Sequence, residues 1–271
     1  MRNISRNFKL TLEYNGAAFH GWQVQKGKPS LQALLQKTLK GIVGEKVTLI
    51  ASGRTDAGVH ALAQVAHFKT HTKLRPDQIQ NALNARLPED VAVKSVEEVA
   101  EDFHAQRDAL RKTYAYLILN DRVPSAFLEP YSWQVKKPLD WDAVHAALEC
   151  VVGEHDFKSF QSVGTPVKST VRKIHSAAIQ ELFGASVQRR DSKSLPFPSY
   201  PRLYAIVLEG NGFLKQMVRN IVGTIIHAGL GKISREEFKK ILEAKDRRKS
   251  GPAAPAKGLF LIKVNYEEPE K

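Results

Sequence analysis

The first strand of the chain is predicted from apolar residues that alternate with polar ones up to a turn at Asn15-Gly16. These residues are Phe8, Leu10, Leu12 and Tyr14. A period of two is typical of a half-buried strand. A helix is predicted next, because Ser30 can cap its N-terminus and the leucines that follow recur on one helical face. These leucines are Leu31, Leu34, Leu35 and Leu39.

The same patterns predict further elements of both types along the rest of the chain. Strands are expected at residues 47–50, 64–68, 91–96, 114–119, 204–208 and 259–264. Helices are expected at residues 76–86, 141–152 and 216–228, and Ser234 with Glu237 forms a capping box for one more. Because strands and helices interleave irregularly, we expect an α+β fold with antiparallel or mixed sheets. A boundary near residues 105–110 gives two predicted domains, 1–107 and 108–271.

Residues 184–202 lack any apolar period and contain the proline-rich run Pro196-Phe-Pro-Ser-Tyr-Pro201. They also contain the charged run Arg189-Arg190-Asp191. Clustered prolines without a repeating apolar pattern predict a long exposed loop.

The chain of 271 residues is strongly basic, with 41 Lys and Arg against 28 Asp and Glu and a formal net charge of +13. This balance favours a polyanionic partner such as nucleic acid, although a basic soluble or membrane-surface protein would share it. The single cysteine, Cys150, cannot form an internal disulfide, and we expect it to be a small buried hydrophobe. Because no segment approaches the roughly 18 apolar residues of a membrane span, we expect a cytoplasmic protein.

The segment from Ala51 to His60, ASGRTDAGVH, is the most informative for chemistry. Two glycines bracket Arg54, Thr55 and Asp56 directly after an apolar strand, and glycines allow unusual backbone geometry. A carboxylate at this point would be held by a rigid sheet while substrate could still reach it. Taken by itself, the segment favours a structural turn in which Asp56 caps backbone amides over a catalytic loop.

The run from Gly53 to His60 resembles the conserved motif of the TruA-type tRNA pseudouridine synthases. Further blocks resemble that family in the same order along nearly the whole chain. They are Gly21-Trp22-Gln23, Asp102-Phe-His-Ala105, Arg111-Lys-Thr-Tyr-Ala-Tyr116, Gly153-Glu-His-Asp-Phe157 with Ser159-Phe160, Met217-Val-Arg-Asn-Ile-Val-Gly223 and Gly251-Pro-Ala-Ala-Pro-Ala-Lys-Gly258-Leu259. Residues 184–202 match none of the family blocks, so they resemble an insertion.

The resemblance implies two domains with ferredoxin-like halves, a central active-site cleft, a homodimer, and tRNA as the partner. The implied substrates are uridines 38, 39 and 40 of the tRNA anticodon stem-loop. By family position, Asp56 is the catalytic nucleophile, Arg219 forms an ion pair with it, and Arg54 assists base flipping. Tyr114 would stack on the target uracil and could also remove its C5 proton.

No cofactor or metal is expected, because the isomerisation breaks the N1–C1′ bond and joins C1′ to C5 of the same base. The sequence correspondingly has no GxGxxG or Walker loop and no zinc-type spacing of His and Cys. The resemblance leaves open whether Asp56 attacks the base or acts at the ribose. A carboxylate shielded from water needs a nearby cation to stay ionised, which is the role that the resemblance gives to Arg219.

Several alternatives remain at this stage. Arg219 could be a snorkelling surface residue, although Val218 and Ile221 suggest buried surroundings in which an arginine needs a partner. Tyr116 lies on the same side of the strand as Tyr114, so either tyrosine could be the one that stacks. A non-catalytic RNA-binding module of ferredoxin-like fold would explain the charge but leave Asp56 without a role. A nucleoside hydrolase would usually need a second catalytic carboxylate.

Overall fold

The computed structural model describes residues 5–164, 167–182 and 202–267. The predicted loop at 184–202 lies outside the described residues except for Arg202. In the described part of the chain the strands are β1 (Arg6–Tyr14), β2 (Ile50–Ala51), β3 (His60–Thr70), β4 (Val91–Val99), β5 (Arg111–Leu119), β6 (Trp133–Gln134), β7 (Gly153–Asp156), β8 (Val171–Glu181), β9 (Leu203–Gly210) and β10 (Leu259–Asn265). The α-helices are α1 (Leu31–Val43), α2 (Pro76–Asn84), α3 (Trp141–Glu149), α4 (Met217–Gly229) and α5 (Arg235–Glu243).

The chain folds into two compact units, one comprising Met1–Thr113 and Phe260–Lys271, the other Tyr114–Leu259. The predicted division into 1–107 and 108–271 differs from these units mainly at the last strand. That strand belongs to the first unit because β10 runs parallel to β3, with Phe260 opposite His60 and Leu261 opposite Ala61. The second unit therefore interrupts the first in sequence.

The first unit has the β-α-β-β-α-β succession of a ferredoxin-like half. β1 pairs antiparallel with both β3 and β4, and β2 pairs antiparallel with β3. The predicted alternation in β1 is confirmed, because its four apolar side chains are buried, and Ser30 caps α1 by accepting the Ala33 N–H. Leu34 of α1 is only half-buried, unlike Leu31, Leu35 and Leu39.

The strand predicted at 47–50 begins only at Ile50. Leu49 is buried, but its backbone groups pair with α1 side chains instead of a neighbouring strand. The Gln32 side chain donates to the Leu49 carbonyl at 2.9 Å, and the Leu49 N–H donates to Gln36 Oε1 at 3.0 Å. Those two glutamines replace the ladder that the strand prediction assumed.

The second unit contains antiparallel pairs of β7 with β8 and of β8 with β9, and a parallel pair of β5 with β6. Antiparallel and parallel pairing with helices confirms the predicted α+β class with mixed sheets. The prediction for α3 was too long, because its last turn tightens: the Val151 and Val152 N–H groups donate to carbonyls three residues back. Cys150 caps this end and is half-buried rather than buried.

Helix α4 is the central element of the second unit, and the residues predicted for its apolar face are all buried. They are Met217, Ile221, Ile225 and Ala228. Asn220 and Thr224 are buried polar residues of the same helix, and each has a partner: Asn220 donates to the Phe160 carbonyl and Thr224 to the Asn220 carbonyl, both at 2.7 Å. The capping box of Ser234 and Glu237 at the start of α5 is confirmed.

Candidate active site

Asp56 lies in the loop between β2 and β3, and its side chain is half-buried. The preceding residue, Thr55, is buried and its hydroxyl contacts the Tyr14 hydroxyl of β1 at 2.8 Å. Gly58 ends the loop with φ +75°, and the Val59 N–H donates to the Asp56 carbonyl at 3.2 Å. The loop thus makes a tight turn directly after the position of the carboxylate.

A buried polar network under the loop fixes its backbone. Gln64 of β3 donates to the Gly53 carbonyl at 2.9 Å and accepts the Ser52 hydroxyl at 2.7 Å. Its side chain also reaches the Tyr14 hydroxyl at 3.4 Å. Burial raises the pKa of Tyr14 to about 12, so this phenol stays protonated near neutral pH. Because these groups are buried and hydrogen-bonded, they hold the loop rigidly.

The segment around Gly21 packs against the other side of the loop. The Trp22 N–H donates to the Thr55 carbonyl at 3.0 Å, and the Gly58 N–H donates to the Phe19 carbonyl at 3.2 Å. Gly21 has φ +87°, and a Cβ there would lie 2.6 Å from the Thr55 oxygen. The Gly21-Trp22-Gln23 block therefore supports the Asp56 loop through backbone contacts that only glycine permits.

Two basic residues of the first unit lie at this loop. Lys112, at the start of β5, donates from Nζ to the Ser52 carbonyl at 2.6 Å. Arg54 is exposed beside Asp56. The ammonium of Lys112 adds a positive charge close to the loop, while the exposed guanidinium of Arg54 can reach an approaching polyanion.

The two candidate tyrosines of β5 have different surroundings in the second unit. Tyr114 is 8% exposed, and its ring packs edge-on to Phe213 with centroids 5.0 Å apart. Tyr116 is fully buried and donates to the Pro255 carbonyl at 2.7 Å. A Cβ added to Gly258 would lie 2.7 Å from the Tyr116 ring. Because protein covers Tyr116 on all sides, Tyr114 is the better candidate for stacking on a base.

Arg219 projects from α4 and is half-buried. Its Nε donates to the Ala254 carbonyl at 2.7 Å, and the Ala254 N–H donates back to the Arg219 carbonyl at 3.0 Å. The side chain is therefore anchored to a second segment of the chain through its Nε. The ion pair with Asp56 would join residues of different units and stays a prediction.

Sequence reasoning missed the residues that support the loop. Tyr14 and Gln64 appeared only as members of strand patterns, and Lys112 only as part of a family block. Arg247 lies outside every motif quoted above, and it donates to Asn220 Oδ1 and to the Gly251 carbonyl, both at 3.0 Å. No signal in a single sequence pairs residues this far apart.

Within residues 5–164, 167–182 and 202–267, no group of three His, Cys, Asp or Glu is arranged to hold a metal ion. In the same ranges, no helix has the length and apolar character that crossing a membrane requires.

Comparisons with known proteins agree with the motif resemblance. A sequence profile described as tRNA pseudouridine synthase matches residues 11–107 and 147–267. The tRNA pseudouridine synthase A of Thermoanaerobacter sp. (strain X514) is 41% identical over 261 residues, which cover 96% of this chain and 100% of the relative. The protein of the same name from Bdellovibrio bacteriovorus is 42% identical over 270 residues, covering 98% and 97% of the two chains.

Among solved structures, the chain resembles one in a Cbf5-Nop10-Gar1 complex. The identity is 12% and the TM-score 0.33, with 93% of this chain and 57% of the other covered. A likeness this distant has no bearing on the site.

Proposed function

Because this chain belongs to the tRNA pseudouridine synthase family, we propose that it isomerises uridine to pseudouridine at positions 38, 39 and 40 of the tRNA anticodon stem-loop. The observation that carries the proposal is the Asp56 loop, which Tyr14 holds through the Thr55 hydroxyl and Gln64 through the Gly53 carbonyl. A half-buried carboxylate on a rigid loop is what the reaction requires.

Asp56 supplies the carboxylate of the reaction. The N1–C1′ bond breaks, C1′ is joined to C5, and the proton that leaves C5 is balanced by one that N1 gains. Asp56 can take part by adding to the uracil ring, by forming an acylated sugar, or by removing a proton at the ribose. Each route needs an ionised carboxylate, and we assign the compensating charge to Arg219.

Tyr114 and Arg54 handle the target base in this proposal. Tyr114 stacks on the uracil and can accept the C5 proton, and its ring is already oriented by Phe213. A uridine in a stem must leave its stack before the reaction. Arg54 is exposed beside Asp56, so its guanidinium can fill the gap that the base leaves.

The partner we propose is tRNA, bound through the basic surface of a chain with net charge +13. We also propose that the enzyme acts as a homodimer in the cytoplasm, where tRNA is processed. The alternative function, a non-catalytic RNA-binding module, does not explain the polar network under the Asp56 loop. An assay for pseudouridine distinguishes it from the proposed enzyme.

The test is to incubate unmodified tRNA with purified protein, label pseudouridines chemically and map their positions. Asp56→Asn and Asp142→Asn are assayed in parallel, since Asp142 is an exposed aspartate in the first turn of α3. We expect product at 38–40 with wild type and Asp142→Asn, and none with Asp56→Asn despite retained tRNA binding. Tight binding without product in wild type would establish the binding-module reading, and turnover by Asp56→Asn would remove Asp56 from the mechanism.

A further inference from the structure

The residues from Gly251 to Gly258 form a segment, called here the strap, that lies across α4. The Gly251 N–H donates to Thr224 Oγ1 at 2.9 Å. A Cβ added to Gly223 of α4 would lie 1.8 Å from the Pro252 oxygen, so the backbone of the strap is in direct contact with the helix. The start of the strap is therefore fixed to the middle of α4.

The middle of the strap holds Arg219. Ala254 is buried, and its carbonyl accepts the Nε–H of Arg219 at 2.7 Å. Because Nε is used in this way, an ion pair with a carboxylate would involve the terminal Nη groups. The direction in which these groups point depends on where the Ala254 carbonyl lies.

Tyr116 holds the next residue of the strap. Its hydroxyl donates to the Pro255 carbonyl at 2.7 Å, and its ring is enclosed by Gly258 and, edge-on, by Trp133. Burial raises the pKa of Tyr116, and the charge of Arg219 acts in the opposite direction. The hydroxyl is consequently a permanent donor to Pro255.

We propose that Tyr116 is a positioning residue: its hydroxyl fixes the Pro255 carbonyl and, through the adjoining peptide, the Ala254 carbonyl that orients the guanidinium of Arg219. Tyr116 touches neither substrate nor reacting atoms and acts only through the strap. The inference rests on the proposed function, because it assumes that Arg219 works with Asp56 in the isomerisation.

The first test compares Tyr116→Phe with a matched control, Tyr266→Phe. Tyr266 of the first unit also donates to a backbone carbonyl at 2.7 Å, that of Ala105. We expect Tyr116→Phe to lower the single-turnover rate about 10- to 100-fold, the size of effect that a small misplacement of a catalytic group produces. The dissociation constant for tRNA should change less than about two-fold, and Tyr266→Phe should keep the wild-type rate.

The second test is a double-mutant cycle with Arg219→Lys. Lysine keeps the positive charge but has no Nε–H for the Ala254 carbonyl, so the strap no longer orients the cation. Adding Tyr116→Phe to Arg219→Lys should therefore cause no further loss of rate. An equal loss in both backgrounds would mean a general structural role and overturn the proposal.

Urea unfolding checks that each variant is folded under the assay conditions. If Tyr116→Phe does not fold, Gly258→Ala provides a second way to displace the Tyr116 hydroxyl, because the methyl group of the new alanine would contact the Tyr116 ring. A wild-type rate in the folded variant would refute the positioning role of Tyr116 and leave the proposed function of the protein untouched. Absence of pseudouridine with wild-type protein would instead refute the proposed function on which it rests.

Discussion

Gly21 supports the Asp56 loop through the absence of a side chain. Its φ of +87° is a backbone conformation that L-residues adopt at a cost of about 1–2 kcal/mol, and its backbone lies against the Thr55 carbonyl. Gly27 has a similar φ of +70°, but no atom of the described residues lies within 4 Å of a Cβ added there. Comparing alanine substitutions at Gly21 and Gly27 therefore separates the effect of backbone strain from the effect of displacing the Asp56 loop.

We predict that Gly21→Ala and Gly27→Ala both lower the free energy of unfolding by about 1–2 kcal/mol or more. Only Gly21→Ala should strongly lower the rate of pseudouridine formation, because its methyl group would push on the residue before Asp56. Urea unfolding and single-turnover assays measure the two effects. Equal rates in the two variants would show that the loop tolerates the displacement.

His67 is a buried histidine of β3 that is kept neutral by its surroundings. Its Nδ1 accepts the Ala105 N–H at 3.1 Å, and its ring lies 4.9 Å from that of His104. Burial, followed by the charges of His104 and Lys69, lowers the pKa of His67 to about 4, and a backbone hydrogen bond with Ile50 and the charge of Asp108 oppose this shift. The folded state therefore resists protonation that the unfolded chain accepts below pH 6.5.

We predict that the free energy of unfolding decreases as the pH falls from about 6.5 towards 4. The unfolded chain binds a proton at His67 in this window and the folded chain does not, so the slope approaches at most about 1.4 kcal/mol per pH unit. Denaturant titrations at several pH values should show a flatter profile for His67→Gln. His20→Gln, which replaces an exposed histidine, provides the control for the loss of an imidazole.

At the scale of single residues, the sequence indicated candidate residues for the chemistry but not the residues that support them. Asp56 and Arg219 lie in recognisable motifs, whereas Tyr14 is an ordinary member of an alternating strand. Its partner Thr55 is 41 residues away in sequence. Tyr114 and Tyr116 share a strand side, and only the packing of Gly258 and Pro255 around Tyr116 separates them.

The contact between α4 and the strap depends on a second glycine, Gly223. A methyl group at this position would overlap the Pro252 carbonyl. Gly41, in the exposed part of α1, is also a helical glycine, and within the described part of the chain nothing lies within 4 Å of its added Cβ. Comparing alanine substitutions at Gly223 and Gly41 therefore separates the stabilising helix propensity of alanine from the destabilising clash with the strap.

We predict that Gly223→Ala lowers the free energy of unfolding by about 1–3 kcal/mol, as overpacking does, and lowers the catalytic rate by displacing the strap that holds Arg219. Gly41→Ala should raise the free energy of unfolding by up to about 1 kcal/mol at an unchanged rate. Thermal unfolding and product assays compare the two. A stabilised, fully active Gly223→Ala would show that the strap adjusts without consequence.

Elements were predictable where the apolar residues recur regularly, as in β1, or where a capping residue precedes such a pattern, as in α1. They were not predictable where the apolar pattern is interrupted. Strand β8 was not predicted, because its register shifts between Ile174 and Ser176. The inward positions are Arg172 and Ile174 before the shift but Ala177 and Ile179 after it. A β-bulge of this kind divides the alternation of inward and outward side chains into two parts, and each part is too short to predict a strand.

For the whole molecule, the net charge of +13 predicts how tRNA binding depends on salt. Each phosphate contact releases counterions, so affinity falls linearly with salt on logarithmic axes. With Asp56→Asn, which should bind without turnover, we expect a loss of roughly a hundred-fold between 50 and 200 mM salt, as about four phosphate contacts would give. A loss of only two- to three-fold would mean that base or shape contacts dominate the binding energy.

The α+β class followed from the irregular order of strands and helices, but the membership of the last strand did not. β10 has the apolar pattern of any half-buried strand, and nothing in that pattern names β3 as its neighbour. Pairing partners far apart in sequence are decided by the assembled sheet. The boundary proposed from local patterns therefore missed the return of the chain to the first unit.

During synthesis, Phe260 leaves the ribosome some two hundred residues after its partner His60. The second unit is continuous in sequence and can fold as it emerges, whereas the first has to wait for β10. His60 stacks on Phe260 with centroids 4.7 Å apart and accepts the Gly16 N–H, so the latest strand also buttresses the approach to the Asp56 loop. A chain that stops before Phe260 would therefore lack both the β10 pairing and the stacking on His60 in the first unit.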